Sequence, residues 1–170
     1  MNDMETLIAR DNIRQLAQRY AIALDRREID SLVKLFVQDV QVGRTDMGRE
    51  ALKAQLTSSL RQLGVSILHV TNHAIDFSGE HNASGVVYCM AETQQGDDWV
   101  RQAICYEDEY RKEEGDWLFV RRKHRLWYAQ AMTDNPMELD TAANESGLAE
   151  GRGSIPQRWN SWQAFFSSHH

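Results

Sequence analysis

Apolar residues recur at helical spacing in the first third of the chain and at alternate positions through the middle. Ile8, Ile13, Leu16, Ala17, Tyr20 and Leu24 make one stripe, with Arg14, Gln15 and Arg19 between them, which predicts an amphipathic first helix. Asp25-Arg26-Arg27 reads as its end, and Ile29, Leu32, Val33, Leu35 and Phe36 give a short second segment. A short extended piece around Val40-Gln41-Val42 follows, closing at Gly43. Leu52, Leu56, Leu60 and Leu63 then mark a third helix, with Gly64 placed where a C′ glycine belongs.

From Val65 the period drops to two. Ser66–Phe77, Ser84–Thr93, Trp99–Arg111 and Trp117–Tyr128 read as four strands, separated by turn-forming clusters such as Gln95-Gly96-Asp97-Asp98 and Glu113-Glu114-Gly115-Asp116. Consecutive hairpins predict an antiparallel meander, and helices followed by strands predict an α+β fold. Such a sheet, curled over the N-terminal helices, makes a cone whose open end can hold a small ligand. Folding the second and third strands back about Asp97 sets Cys89 opposite Cys105, as small core residues. Regularity fades over Met132–Gly153 and returns at Pro156–Phe166, where Trp159, Trp162 and Phe166 share a helical face. The expected division is a cone domain over 1–131 and a C-terminal loop and aromatic helix over 132–170, packed on the domain or on a neighbouring subunit.

Composition narrows the function classes. With 170 residues, the chain makes about one domain. Its net charge of −6 speaks against nucleic acid or an anionic membrane as partner, since both select basic surfaces. The start lacks the apolar core of a signal peptide, and no stretch approaches a membrane span. Two cysteines are too few for a disulfide scaffold, so a cytoplasmic protein with reduced thiols is expected. Metal-ligand, phosphate-loop, dinucleotide and serine-nucleophile motifs are all missing, so no cofactor and no metal are expected.

Three residues invite chemistry. His69, in Ile67-Leu68-His69-Val70-Thr71-Asn72-His73, has apolar neighbours, and a sheltered neutral imidazole can take a proton near neutral pH if a carboxylate orients it. Read alone, it is more often a structural histidine. Asp25, at the end of the first helix, is the candidate carboxylate, or else an ordinary helix-end aspartate. Arg122 shares strand parity with Leu118, Val120, His124, Leu126 and Tyr128; inside a cone it would hold an oxyanion or a departing anion. It could equally form a salt bridge to Glu107 or Asp108. His73 shares the parity of His69 provided that no bulge intervenes. Tyr20, Tyr88, Tyr106, His124 and Tyr128 are candidate substrate-binding residues, since a cone lined with tyrosines can polarise a carbonyl.

Together these features resemble the SnoaL-like polyketide cyclase group of the nuclear transport factor 2-like superfamily. The resemblance rests on Asp25 after an apolar helix face, Leu35-Phe36-Val37-Gln38-Asp39-Val40, His69-Val70-Thr71-Asn72-His73, Tyr106-Glu107-Asp108-Glu109-Tyr110-Arg111, and Gly115-Asp116-Trp117 running on to Arg122. It implies a cone-shaped antiparallel sheet with a mixed edge. In the dehydratase and dehydrochlorinase branch it implies an aspartate–histidine dyad matching Asp25 and His69, with a pocket arginine matching Arg122. The His69-to-Asn72 spacing is one residue shorter than in the dehydrochlorinase, which implies a different local bulge.

The resulting expectation is a cofactor-independent acid–base enzyme, a dehydratase- or dehydrohalogenase-type lyase or an isomerase or cyclase. Its ligand would be a small hydrophobic or aromatic molecule, and its assembly a homodimer or homotrimer. The alternative is a non-catalytic ligand-binding or oligomerisation module, or an accessory subunit, of the same fold.

Overall fold

The computed structural model describes residues 1–133, Pro136 and 156–168. Helix α1 (Asp3–Asp25) opens with a capping box between Asn2 and Glu5 and buries Ala9, Ile13, Leu16, Ala17, Ala21 and Leu24. Ala9 takes the place expected of Ile8, which is exposed. Helix α2 (Ile29–Lys34), a two-strand hairpin of β1 (Gln41–Val42) and β2 (Asp46–Met47), and α3 (Arg49–Arg61) follow. Helix α3 is capped at Gln62, whose N–H returns to Ser59, so Gly64 lies one residue beyond the C′ position expected of it.

Strands β3 (Ser66–Phe77), β4 (Asn82–Gln95), β5 (Asp98–Glu113) and β6 (Asp116–Ala131) pair antiparallel in sequence order. The sheet is open, and its inner face lies on the helices. Ala17 of α1 packs on Val87, Cys89, Ala91, Ile104 and Tyr106, while Ile13, Leu32, Val37 and Phe119 centre the larger core. The two free edges are closed differently. The N–H of Phe119 in β6 donates to the carbonyl of Leu35, and Val37 N–H donates to the Phe119 carbonyl, a parallel bridge that mixes the edge. At the β3 edge, Asp25 accepts the otherwise unpaired N–H of Leu68 at 3.0 Å.

Three irregularities re-aim the side chains. Val70 pairs with Cys89 but His73 pairs with Val87, so β3 carries one extra residue and its parity inverts. In β6, Phe119 pairs with Tyr110 and Arg121 with Glu109, which inserts Val120. A third shift sets Leu126 opposite Ile104 and Tyr128 opposite Ala103. The β4–β5 turn contains only Gly96 and Asp97, so Cys89 pairs with Ile104 and Cys105 with Tyr88. The cysteines therefore lie on opposite faces, one register step from the expected pairing, and both are free.

After Pro156–Arg158, helix α4 (Asn160–Ser167) packs Phe165 on the core, under Arg61. Trp162 and Phe166 stack on each other, while Trp159 stays largely exposed beneath Arg26. The irregular stretch expected over Met132–Gly153 lies almost entirely outside the described residues. No helix among the described residues is long and apolar enough to cross a membrane.

Candidate functional site

The α1 terminus forms the first polar cluster. Arg27 adopts φ 58°, and the N–H groups of Arg27 and Glu28 return to the carbonyls of Leu24 and Ala23, a Schellman ending usually built on glycine. The Arg27 guanidinium donates to the Leu24 carbonyl at 2.6 Å, to Ser66 Oγ at 2.8 Å, and to the carbonyl of Gly64. Ser66 in turn donates to Asp25 Oδ1 at 2.9 Å. Asp25 is buried, and burial raises its carboxyl to about 6 against the opposing hydrogen bonds of Leu68 and Ser66 and the charges of Arg27 and His69.

His69 lies elsewhere. Leu68 and Val70 face the helices, so His69 projects from the other face, exposed and level with Met90. No hydrogen bond joins it to Asp25 among the described residues, and the sheltered imidazole expected at this position is not what the strand presents. The β3 bulge is the cause: it turns His73 inward in its place.

A second cluster follows the inner face. His73 Nε2 lies 3.0 Å from Tyr110 Oη, and Tyr110 donates to Asp108 Oδ2 at 2.8 Å. Arg122 grips the same carboxylate side-on, Nε to Oδ1 at 2.9 Å and Nη2 to Oδ2 at 2.6 Å. Tyr110 has one hydroxyl proton, which goes to Asp108, so His73 Nε2 is the donor and its Nδ1 keeps the lone pair. Burial lowers the His73 pKa to about 4. Gly85 makes room for this chain: a Cβ there would meet the Ala74 carbonyl oxygen at 2.9 Å and the Tyr110 ring at 3.0 Å.

The Arg122 guanidinium sits among Tyr20, Tyr106 and Phe119, its carbon 4.3–4.4 Å from each ring centroid. Burial works against its charge, but the hydrogen bonds and charge of Asp108 hold its pKa above the ordinary arginine value. Burial raises the phenols of Tyr20 and Tyr106. Nη1 of Arg122 is buried with no hydrogen-bond partner among the described residues.

A cavity of about 790 Å³ opens between α1, α3 and β6, with Tyr20, Arg122 and His124 in its wall. His124 stands against Tyr106 with ring centroids 5.6 Å apart, and burial lowers its pKa, so it is neutral at neutral pH. Of the expected substrate contacts, Tyr20 and His124 line the cavity and Tyr106 backs it. Tyr88 does not: between the inward Val87 and Cys89 it faces out, set edge-to-face against Trp127 with ring centroids 4.6 Å apart. Tyr128 is also turned out, by the third irregularity, and is exposed. His73, Asp108 and Tyr110 were missed as site residues. The six-residue block Tyr106–Arg111 carried a signal for Asp108, since Tyr106, Asp108 and Tyr110 share alternate positions with inward apolar residues. Among the described residues, no group of three or more histidine, cysteine, aspartate or glutamate side chains is placed to hold a metal ion.

The model of the SnoaL-like domain family matches residues 5–123. No curated protein matches the chain in sequence. Among solved structures, a Novosphingobium aromaticivorans protein described as a scytalone dehydratase is 25% identical with a TM-score of 0.67, covering 79% of this chain and 94% of that one. A type 2 hexachlorocyclohexane dehydrochlorinase, LinA, is 19% identical with a TM-score of 0.72, covering 81% and 100%. The LinA type 3 enzyme of Novosphingobium barchaimii is 22% identical with a TM-score of 0.68, covering 78% and 95%. The two dehydrochlorinase likenesses bear on the fold alone.

Proposed function

The chain belongs to the SnoaL-like domain family of the nuclear transport factor 2-like superfamily, and we propose that it is a cofactor-independent acid–base enzyme, a lyase or isomerase acting on a small hydrophobic molecule. The supporting observation is that Arg122 and His124, two residues apart on one face of β6, share the wall of a cavity lined by both apolar and polar side chains. His124 is neutral where the enzyme would work, so it can accept a proton from carbon. Arg122 stands ready for the negative charge that develops as the proton leaves, or for a departing hydroxide or halide. Held by Asp108 and three aromatic rings, it need not reorganise as that charge appears. Tyr20, at the same wall, orients the ligand.

A second assignment of the base keeps the pair implied by the family resemblance, Asp25 with His69. What favours it is that Asp25 is a buried acid held near 6, with His69 among the charges acting on it. The two assignments separate experimentally. Ligands found by thermal shift in a panel of small aromatic and terpenoid compounds are incubated in D₂O, and loss of carbon-bound protons is followed by NMR. His124→Gln slows exchange about 10²–10⁴-fold if His124 is the base, while His69→Gln leaves it within about threefold. The reverse ranking moves the base to the Asp25–His69 pair. Exchange in wild type no faster than in buffer, despite tight binding, refutes catalysis and leaves a ligand-binding module.

A further inference from the structure

Residues from three strands form one directed chain across the inner face of the sheet. His73 of β3 donates to Tyr110 of β5, Tyr110 donates to Asp108 Oδ2, and the same carboxylate takes two hydrogen bonds from Arg122 of β6. Strand β4 lies between β3 and β5, and the chain passes over it at Gly85, where a Cβ would stand 3.0 Å from the Tyr110 hydroxyl oxygen. Both ends depend on a bulge. Without the extra residue in β3, His73 would leave the inner face, and without the one at Val120, so would Arg122. Tyr110 and Asp108, in the middle, are 1% and 2% exposed. Buried polar groups of this kind gain little over apolar residues of the same volume, so stability alone is a weak reason for the arrangement.

The chain sets the direction of one guanidinium. Tyr20, Tyr106 and Phe119 surround Arg122, but attraction between a cation and a ring does little to aim the N–H bonds. Asp108 supplies the direction by gripping Nε and Nη2. A carboxylate held by that arginine alone would turn with it, whereas here the Tyr110 hydroxyl pins Oδ2 from a second side. The carboxylate can only accept, so the single hydroxyl proton goes to it. His73 then satisfies the hydroxyl oxygen from behind, and a donor there strengthens the O–H···O bond ahead of it.

We propose that Tyr110 and His73 are positioning residues for the site: acting through Asp108, they fix the direction of the Arg122 guanidinium at the cavity wall. Their role rests on the reading of Arg122 as the cation that meets developing negative charge. Neither residue lines the cavity.

Heteronuclear NMR on the isotopically labelled intact chain, with no ligand present, tests this. The probe is the Nε–H of Arg122, whose proton shift and exchange with water report its bond to Asp108. Mildly acidic solution keeps exchange slow while His73 is still neutral. In wild type the resonance is expected far downfield and slow to exchange. Tyr110→Phe is expected to move it upfield and to speed its exchange about tenfold. His73→Leu makes its change two hydrogen bonds away from Arg122, and is expected to act in the same direction by about fivefold. His73→Gln, which still offers Tyr110 a donor, is expected to stay within about twofold of wild type. The double variant His73→Leu with Tyr110→Phe is expected to exchange no faster than Tyr110→Phe alone, because His73 works through Tyr110.

A merely structural role would lower the melting temperature of these variants and leave the Arg122 resonance in place. An unmoved resonance in folded Tyr110→Phe therefore overturns the proposal and makes Asp108 sufficient by itself. An effect of His73→Leu that His73→Gln does not rescue overturns the part assigned to His73. Should Tyr110→Phe fail to fold, the two His73 variants still decide. Absence of carbon-proton exchange in D₂O refutes the enzyme reading without moving the Arg122 resonance, so the two failures are distinguishable.

Discussion

Asp25 and His73 pull the pH dependence of stability in opposite directions, and removing either exposes the other. Asp25 titrates at 3.8 in an unfolded chain and at about 6 in the folded one, with burial as the leading cause. A raised folded-state value means that the folded chain binds the proton more tightly than the unfolded one. Its stabilising effect is therefore complete below about pH 4 and is lost as pH rises through about 6. The displacement corresponds to about 3 kcal/mol. His73 is displaced from 6.5 to about 4, so its contribution is complete above about pH 6.5 and is lost as pH falls through about 4. The ring is only part-buried, and solvent screening brings its share to about 2 kcal/mol. The two windows overlap, so the wild-type profile between pH 4.5 and 6.5 is nearly flat.

Urea unfolding across that range, compared at each pH with Asp25→Asn and His73→Gln, reads the two terms separately. Asparagine still accepts from Leu68 N–H, and glutamine still offers Tyr110 a donor, so both substitutions keep the local geometry. Asp25→Asn is expected to become more stable with rising pH, by about 1 kcal/mol over this range, because only the histidine term remains. His73→Gln is expected to become less stable with rising pH, by about 2 kcal/mol over this range, because only the aspartate term remains. Carboxylates paired at the surface, such as Asp39 and Glu107, and the depressed His124 titrate in all three proteins and drop out of the differences. An Asp25→Asn profile parallel to wild type would refute the view that this carboxylate is charged at a cost in the folded chain.

Other residues make sharper local tests. Gly85→Ala drives a methyl group into the Ala74 carbonyl and Tyr110; calorimetric melting should show a loss of about 1–3 kcal/mol, and a neutral result would mean the Tyr110 contact is loose. Arg27→Gly relieves a left-handed backbone but removes three hydrogen bonds, two of them buried; a net loss of stability in urea is expected, whereas a gain would show that the backbone term dominates. Cys89 and Cys105 face away from each other, so mild oxidation should leave two titratable thiols after unfolding and no intramolecular disulfide by mass spectrometry. Leu126, Trp127 and Tyr128 are exposed in sequence, and a dimer or trimer covering them is expected by sedimentation at micromolar concentration; a monomer would refute that.

The fold was legible because its main signals are periodic. The change from a 3.6-residue to a two-residue period falls at Val65, and the four strands lie where alternation and turn residues put them, lengthened by one to three residues at most ends. Arg122 was legible as an inward cation, and its salt bridge to Asp108 was one of the two partners considered. The histidines were not. Alternation assigns His69 and His73 to the same face, and a single extra residue between Val70 and His73 separates them. The residue types of Val70-Thr71-Asn72-His73 do not mark that insertion, because β-branched and amide residues suit both a strand and a bulge, and only the His69-to-Asn72 spacing implied by the family resemblance pointed to an altered bulge here. The same blindness misplaced Tyr128, which alternation keeps with Leu126 and the β5–β6 register does not. The cysteine pairing failed for a smaller reason, since a two-residue turn centres the hairpin between Gly96 and Asp97 rather than on Asp97.

These insertions explain how the sheet brings polar side chains to the hollow. A regular β6 would keep Phe119 and Arg121 on one face and Val120 and Arg122 on the other. Phe119 could then not fill the core while Arg122, three residues on, points to the same side. The extra residue at Val120 lets both face the helices, and the one in β3 does the same for Val70 and His73. Each bulge therefore joins an apolar stretch that holds the sheet to the helices with a polar stretch that faces the hollow. The cost is a buried ion pair: Asp108 and Arg122 have lost water on nearly all sides, and such pairs are often no more stable than apolar residues of the same volume. Two bulges and a desolvated ion pair are poor means of stabilising a domain whose main core is apolar. They are intelligible as the means of fixing one guanidinium edge, and one neutral imidazole beside it, at the wall of a cavity.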